Sequence, residues 1–109
     1  MSTVGFTSDP SWGGRQVARR CADAAPRARV VVTATVTGTE VTDIHGAPSL
    51  ACTMDDGSGT LVVVFLGRSR VAGFEVGAHC TIEGTVQAGH PVPTVWNPLY
   101  RIEAPDGPT

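Results

Sequence analysis

The strongest constraint on this chain is a short apolar run placed directly behind a turn. Residues 60–66 (TLVVVFL) follow Asp55-Asp56-Gly57-Ser58-Gly59. Aspartate side chains bond nearby backbone N–H groups, and glycine takes positive φ without steric cost, so this pentad sets a tight reversal. The run behind it is too short for a buried helix, and its β-branched side chains favour a pleated strand. On the other side of the turn, residues 49–55 (SLACTMD) alternate, with Leu50, Cys52 and Met54 on one face and Ala51, Thr53 and Asp55 on the other. An antiparallel hairpin is expected, with Leu61, Val63 and Phe65 pointing inward and Val62, Val64 and Leu66 outward.

The same period continues on both sides. Residues 27–39 (RARVVVTATVTGT) place Val30, Val32, Ala34 and Val36 on one face and Arg29, Val31, Thr33, Thr35 and Thr37 on the other, with Gly38 suited to a bulge. Residues 40–48 read as a loop with His45-Gly46 at its tip. Residues 67–77 (GRSRVAGFEVG) hold three glycines and allow at most one helical turn, at 68–71. Residues 78–86 (AHCTIEGTV) read as a fourth strand, with Cys80, Ile82, Gly84 and Val86 opposed to His79, Thr81, Glu83 and Thr85. Residues 87–91 form a loop, and 92–100 (VPTVWNPLY) a fifth strand whose Pro93 and Pro98 belong at an edge or at strand ends. Five short strands without a long helix predict an all-β fold. The expected architecture is a five-stranded Greek-key barrel of the OB type over residues 27–103.

Residues 1–26 differ. In residues 15–25 (RQVARRCADAA), Val17, Ala18, Cys21, Ala22 and Ala25 recur at spacings of three and four. This predicts about three turns of helix, stopped by Pro26. The apolar face consists of small residues, so the drive to dock is modest, and the expectation is an N-terminal arm, partly helical or disordered, anchored by Phe6 or Trp12. Residues 104–109 are expected to be a flexible tail.

Composition narrows the function. A chain of 109 residues suits one domain, and 41% hydrophobic against 17% charged residues permits a packed core. A formal net charge of −2 is not that of a strongly basic nucleic-acid module. No apolar run approaches the ~20 residues of a membrane span, and residues 1–9 lack a secretory signal. Three widely spaced cysteines, Cys21, Cys52 and Cys80, fit neither a disulfide framework nor a zinc ribbon, so a cytoplasmic protein with core thiols is expected. His79 and Cys80 are adjacent on a strand and point to opposite faces, which argues against a metal site. No nucleophile elbow is present, and the expectation is a non-enzymatic protein without a cofactor.

The pattern from Leu50 onward has a family shape: Asp55 to Gly59, then Thr60-Leu61-Val62-Val63-Val64-Phe65-Leu66-Gly67, then Val71-Ala72-Gly73-Phe74-Glu75-Val76-Gly77, a strand ending Glu83-Gly84-Thr85-Val86, and Asn97-Pro98-Leu99-Tyr100. This string resembles the OB-fold nucleic-acid-binding domains akin to the wedge domain of the branched-DNA helicase. It is also similar to the anticodon-binding OB domains of aminoacyl-tRNA synthetases and to small stand-alone actinobacterial OB-fold proteins. The resemblance covers most of the chain and implies binding of single-stranded or branched nucleic acid. The chain departs from those binders in two loops, residues 40–48 and 87–91, which carry no arginine or lysine, so phosphate affinity is expected to be low.

OB barrels bind single strands on the outer face of strands two and three, between the loops joining strands one to two and four to five. Stacking platforms and positive charge do the binding there. The candidate set is therefore Thr53, Val62 and Val64 on the face, Trp96 as the stacking residue, His45 and His90 in the two loops, and Arg29, Arg68 and Arg70 for phosphates. Each has a plainer reading: packing for Trp96, solvated surface for the arginines, ordinary loop positions for the histidines. Because the face is aliphatic, the competing expectation is a protein-interaction module, either a homo-oligomer or a docking site for a larger partner.

Overall fold

The computed structural model describes residues 11–12 and 15–103, with side chains from Val17 onward. Among the described residues eight strands run in chain order: β1 (Ser11–Trp12), β2 (Arg15–Gln16), β3 (Arg29–Ile44), β4 (Ala47–Asp55), β5 (Thr60–Phe65), β6 (His79–Gln87), β7 (Thr94–Trp96) and β8 (Leu99–Ile102). β1 and β2 form a small antiparallel pair; the others form one six-stranded mixed sheet in the order β3-β4-β5-β7-β6-β8. β3 also pairs with β6, so the hydrogen bonding runs in a ring. All pairings are antiparallel except β5 with β7. The all-β class expected from the sequence is what the chain adopts.

The inside of the ring is the apolar half of each alternation. Val30, Val32 and Val36 of β3, Cys52 and Met54 of β4, Leu61 and Val63 of β5, Cys80 and Ile82 of β6 and Val95 of β7 have no exposed surface. Each buried valine or leucine contributes about 1.5–3 kcal/mol, which fixes the register, because a slip by one residue would turn the whole set outward. Phe65 and Phe74 close one end with Tyr100, as three edge-to-face ring pairs with centroids 4.9–5.6 Å apart.

Three sequence expectations are corrected. Residues 40–48 are not a loop: β3 continues to Ile44, bulged between Val36 and Gly38, and pairs with β4 as far as Ile44 opposite Ala47. His45 and Gly46 alone make the reversal, with φ of 53° and 82°, a two-residue turn whose twist matches its flanking strands. This extension is half-buried at most, so it shows no apolar alternation. Next, the fifth strand is split in two by Asn97, at φ 50°, and Pro98.

Third, residues 15–25 do not form a helix. They comprise β2, an irregular stretch and a short 3-10 turn over Cys21–Asp23. Ala18 donates its N–H to the Arg29 carbonyl and accepts from Val31 N–H, so the arm lies along an open stretch of β3. Val17, Cys21 and Ala24 are buried from this path. Their helical spacing is satisfied by tertiary pairing instead, because a strand edge offers backbone partners that a small-residue helix face cannot match. Phe6, the side chain of Trp12 and residues 104–109 lie outside the described residues.

Candidate nucleic-acid interface

The β4–β5 turn is built as its residues require. Asp55 Oδ1 accepts from Gly57 N–H at 2.6 Å, and Asp56 Oδ1 accepts from Ser58 N–H at 2.9 Å. Asp56 also reaches across the molecule: its Oδ2 accepts from Cys21 N–H at 3.0 Å, while Ser58 Oγ accepts from Ala22 N–H at 3.1 Å. Burial alone would raise the Asp56 carboxyl, but the hydrogen bonds from Ser58 and Cys21 overcome it and hold it at about 2. The turn thus clamps the arm, a role invisible in local sequence.

This hairpin sets the outer face. Ala51 lies opposite Val64 and Thr53 opposite Val62, and the parallel β5–β7 pairing places Val64 beside Trp96 and Val62 beside Thr94. Gln87 of β6 then stands opposite Thr94. β7 is held by Val62 N–H to the Pro93 carbonyl at 2.8 Å and Asn97 N–H to the Val64 carbonyl at 2.7 Å. Asn97 Oδ1 in turn accepts from Leu66 N–H at 2.9 Å. The left-handed backbone at Asn97 turns its side chain back onto β5, and Pro98 ends the strand.

Of the nine candidate residues, five come together. Thr53, Val62, Val64 and Trp96 form contiguous rows, and the His90 ring packs edge-on to Trp96 with centroids 6.2 Å apart. Val64 is buried, while Trp96, Val62 and Thr53 are half-buried. Gln87 and Thr94 belong to this face and were not among the candidates; only the β6–β7 register brings them in.

The other four are dispersed. Arg29 lies on the β3–β6 sector, where its Nη2 meets Glu83 Oε2 at 2.8 Å, and Glu83 is 2% exposed. Arg68 and Arg70 are exposed in the link between β5 and β6. Arg70 lines an open cavity of about 640 Å³ between the β3–β4 extension and this link, shared with Thr39, Val41, Phe74 and Glu75. His45 occupies the tip of the β3–β4 hairpin. The face itself presents no arginine among its paired rows, and Glu40, opposite Ala51, continues one row with a carboxylate.

The thiols take no part. All three are buried and free; burial, with Asp56 as the lesser cause, pushes Cys21 up to about 12, and burial raises Cys52 and Cys80 to about 11. Among the described residues no group of three or more histidine, cysteine or acidic side chains is placed to hold a metal, and no helix is long and apolar enough to cross a membrane. Comparison with models of known protein families and with curated proteins finds no match for this chain.

Proposed function

We propose that the ring is an OB-type Greek-key barrel that binds single-stranded or branched nucleic acid weakly, without catalysis, on the outer face of β4, β5 and β7. The strand order supports the architecture: with β3, β4, β5, β6 and β7–β8 taken as strands one to five, the first pairs with the second and fourth, and the third runs parallel to the fifth. The observation that carries the ligand is the half-buried Trp96 indole, flanked by His90 and continuous with Val64, Val62 and Thr53. An indole so placed stacks one base, the half-buried Val62 takes van der Waals contact from the next, and the Thr53 hydroxyl and Gln87 offer hydrogen bonds. Affinity is low because Arg29 is committed to Glu83 and Glu40 borders the face.

The test is fluorescence anisotropy of a labelled oligonucleotide at low and moderate salt. Binding that weakens with salt is expected, and Trp96→Ala should cost about 1–3 kcal/mol. No binding at low salt overturns the proposal. The arginine-free aliphatic rows favour a second reading, a protein docking face, in which Val62→Asp abolishes association while oligonucleotides never bind.

A further inference from the structure

β8 is the border of the six-stranded sheet and, among the described residues, pairs with β6 alone. Its hydrogen-bonding phase is fixed by Glu103 N–H, which donates to the His79 carbonyl at 2.8 Å. Antiparallel residues alternate in direction, so residues 99, 101 and 103 aim their backbone groups at β6, and Tyr100 and Ile102 aim theirs away. The strand holds no proline, lysine or bulge, and its edge is guarded only by its short length and by Arg101. Leu99, Tyr100 and Ile102 are 47%, 36% and 40% exposed. Arg101 carries the only formal charge inside it, and its Nε meets Glu103 Oε2, two residues on, at 2.9 Å.

We infer that this edge pairs, antiparallel, with β8 of a second copy of the chain, with Ile102 on the two-fold axis. Hydrogen-bonded pairs across the new seam must join outward-facing residues, which leaves three two-fold registers. Tyr100 opposite Tyr100 sets Ile102 against Pro98, which has no N–H to give. Tyr100 opposite Ile102 sets Arg101 directly against Arg101, and like charges in that position repel. Ile102 opposite Ile102 sets Arg101 against Glu103 of the second copy, twice over, while the isoleucines meet on the other face. In this phase the Arg-x-Glu pattern is self-complementary, so a second copy of the chain supplies both opposite charges. The seam is short, so the dimer is weak and concentration-dependent.

Sedimentation velocity over a concentration series up to about 1 mM tests it. The native chain should shift from monomer to dimer. Arg101→Glu and Glu103→Arg should each stay monomeric, since each sets like charges across the seam. An equimolar mixture of the two variants should restore the dimer, because one chain then carries two carboxylates and the other two guanidinium groups; this recovery also shows that both variants are folded. Ile102→Lys is the independent disruptor. A native chain that stays monomeric throughout overturns the inference. So does a dimer that persists in both single variants, or a mixture no more associated than its components. Each outcome is separate from the oligonucleotide titration, which does not involve β8.

Discussion

Gly84→Ala measures how closely β6 crosses β7. A Cβ at residue 84 would fall inside the contact distance of Val95 Cγ1, with the Pro98 Cα and Cβ at 3.7 Å. Neither neighbour gives way easily: Val95 has no exposed surface and Pro98 is buried. The backbone at Gly84 is not left-handed, so alanine suits it, and loss of glycine's freedom in the unfolded chain stabilises by about 0.4–1 kcal/mol. Overpacking costs about 1–3 kcal/mol. The net expectation is a loss of roughly 1–2 kcal/mol, or about 4–8 °C in Tm for each kcal/mol. Val95→Ala alone removes two buried methyl groups and leaves a void, costing roughly 1.5–3 kcal/mol. In the double variant the new methyl occupies the space vacated by Cγ1, so the losses do not add, and a coupling of about 1–2 kcal/mol is expected. Urea unfolding followed by far-UV circular dichroism of all four proteins gives the cycle. Additivity within ~0.5 kcal/mol, or Gly84→Ala as stable as the native chain, refutes the crossing as the cause.

Glu83→Gln leaves the Arg29 guanidinium without its buried counter-charge and should cost about 1–3 kcal/mol in the same assay, Arg29 retaining some solvent. Asp56 has a depressed carboxyl, so its contribution is complete above its ordinary value of 3.8 and is lost as pH falls towards about 2; Asp56→Ala should flatten acid unfolding in that window and cost about 1–2 kcal/mol at neutral pH. The three buried thiols should resist alkylation in the native chain at pH 8 and all react in denaturant; a fast-reacting native thiol would refute their burial.

The inner faces of β3 to β6 were legible because the apolar side chains fall on alternate positions, and alternation of Val30, Val32, Ala34 and Val36, or of Leu61, Val63 and Phe65, needs no further information. Gly38 and the Asp-Gly turn were legible as backbone requirements. The arm was not, since Val17, Cys21 and Ala24 keep a helical spacing while the forces on them come from β3 and from Asp56, distant in sequence. The reach of β3 to Ile44 was hidden because neither side of it is more than half-buried. At the candidate face, alternation was enough to place Val62, Val64 and Trp96 outward. It was silent on Arg29, whose partner Glu83 lies on another strand, and on Thr94 and Gln87, which depend on the β6–β7 register.

The ring has a consequence for how the chain is made. β3, β4 and β5 follow one another as a meander whose pairings join neighbouring segments and can form before β6 and β7 dock. Its two flanks stay open until β6 and β7 arrive, and Val30, Val32, Leu61 and Val63 have no roof before then. Joins between such distant segments put folding in the range of roughly milliseconds to seconds. Through that interval the half-made meander offers two bare strand borders to any neighbour, so folding at high protein concentration exposes this molecule to association.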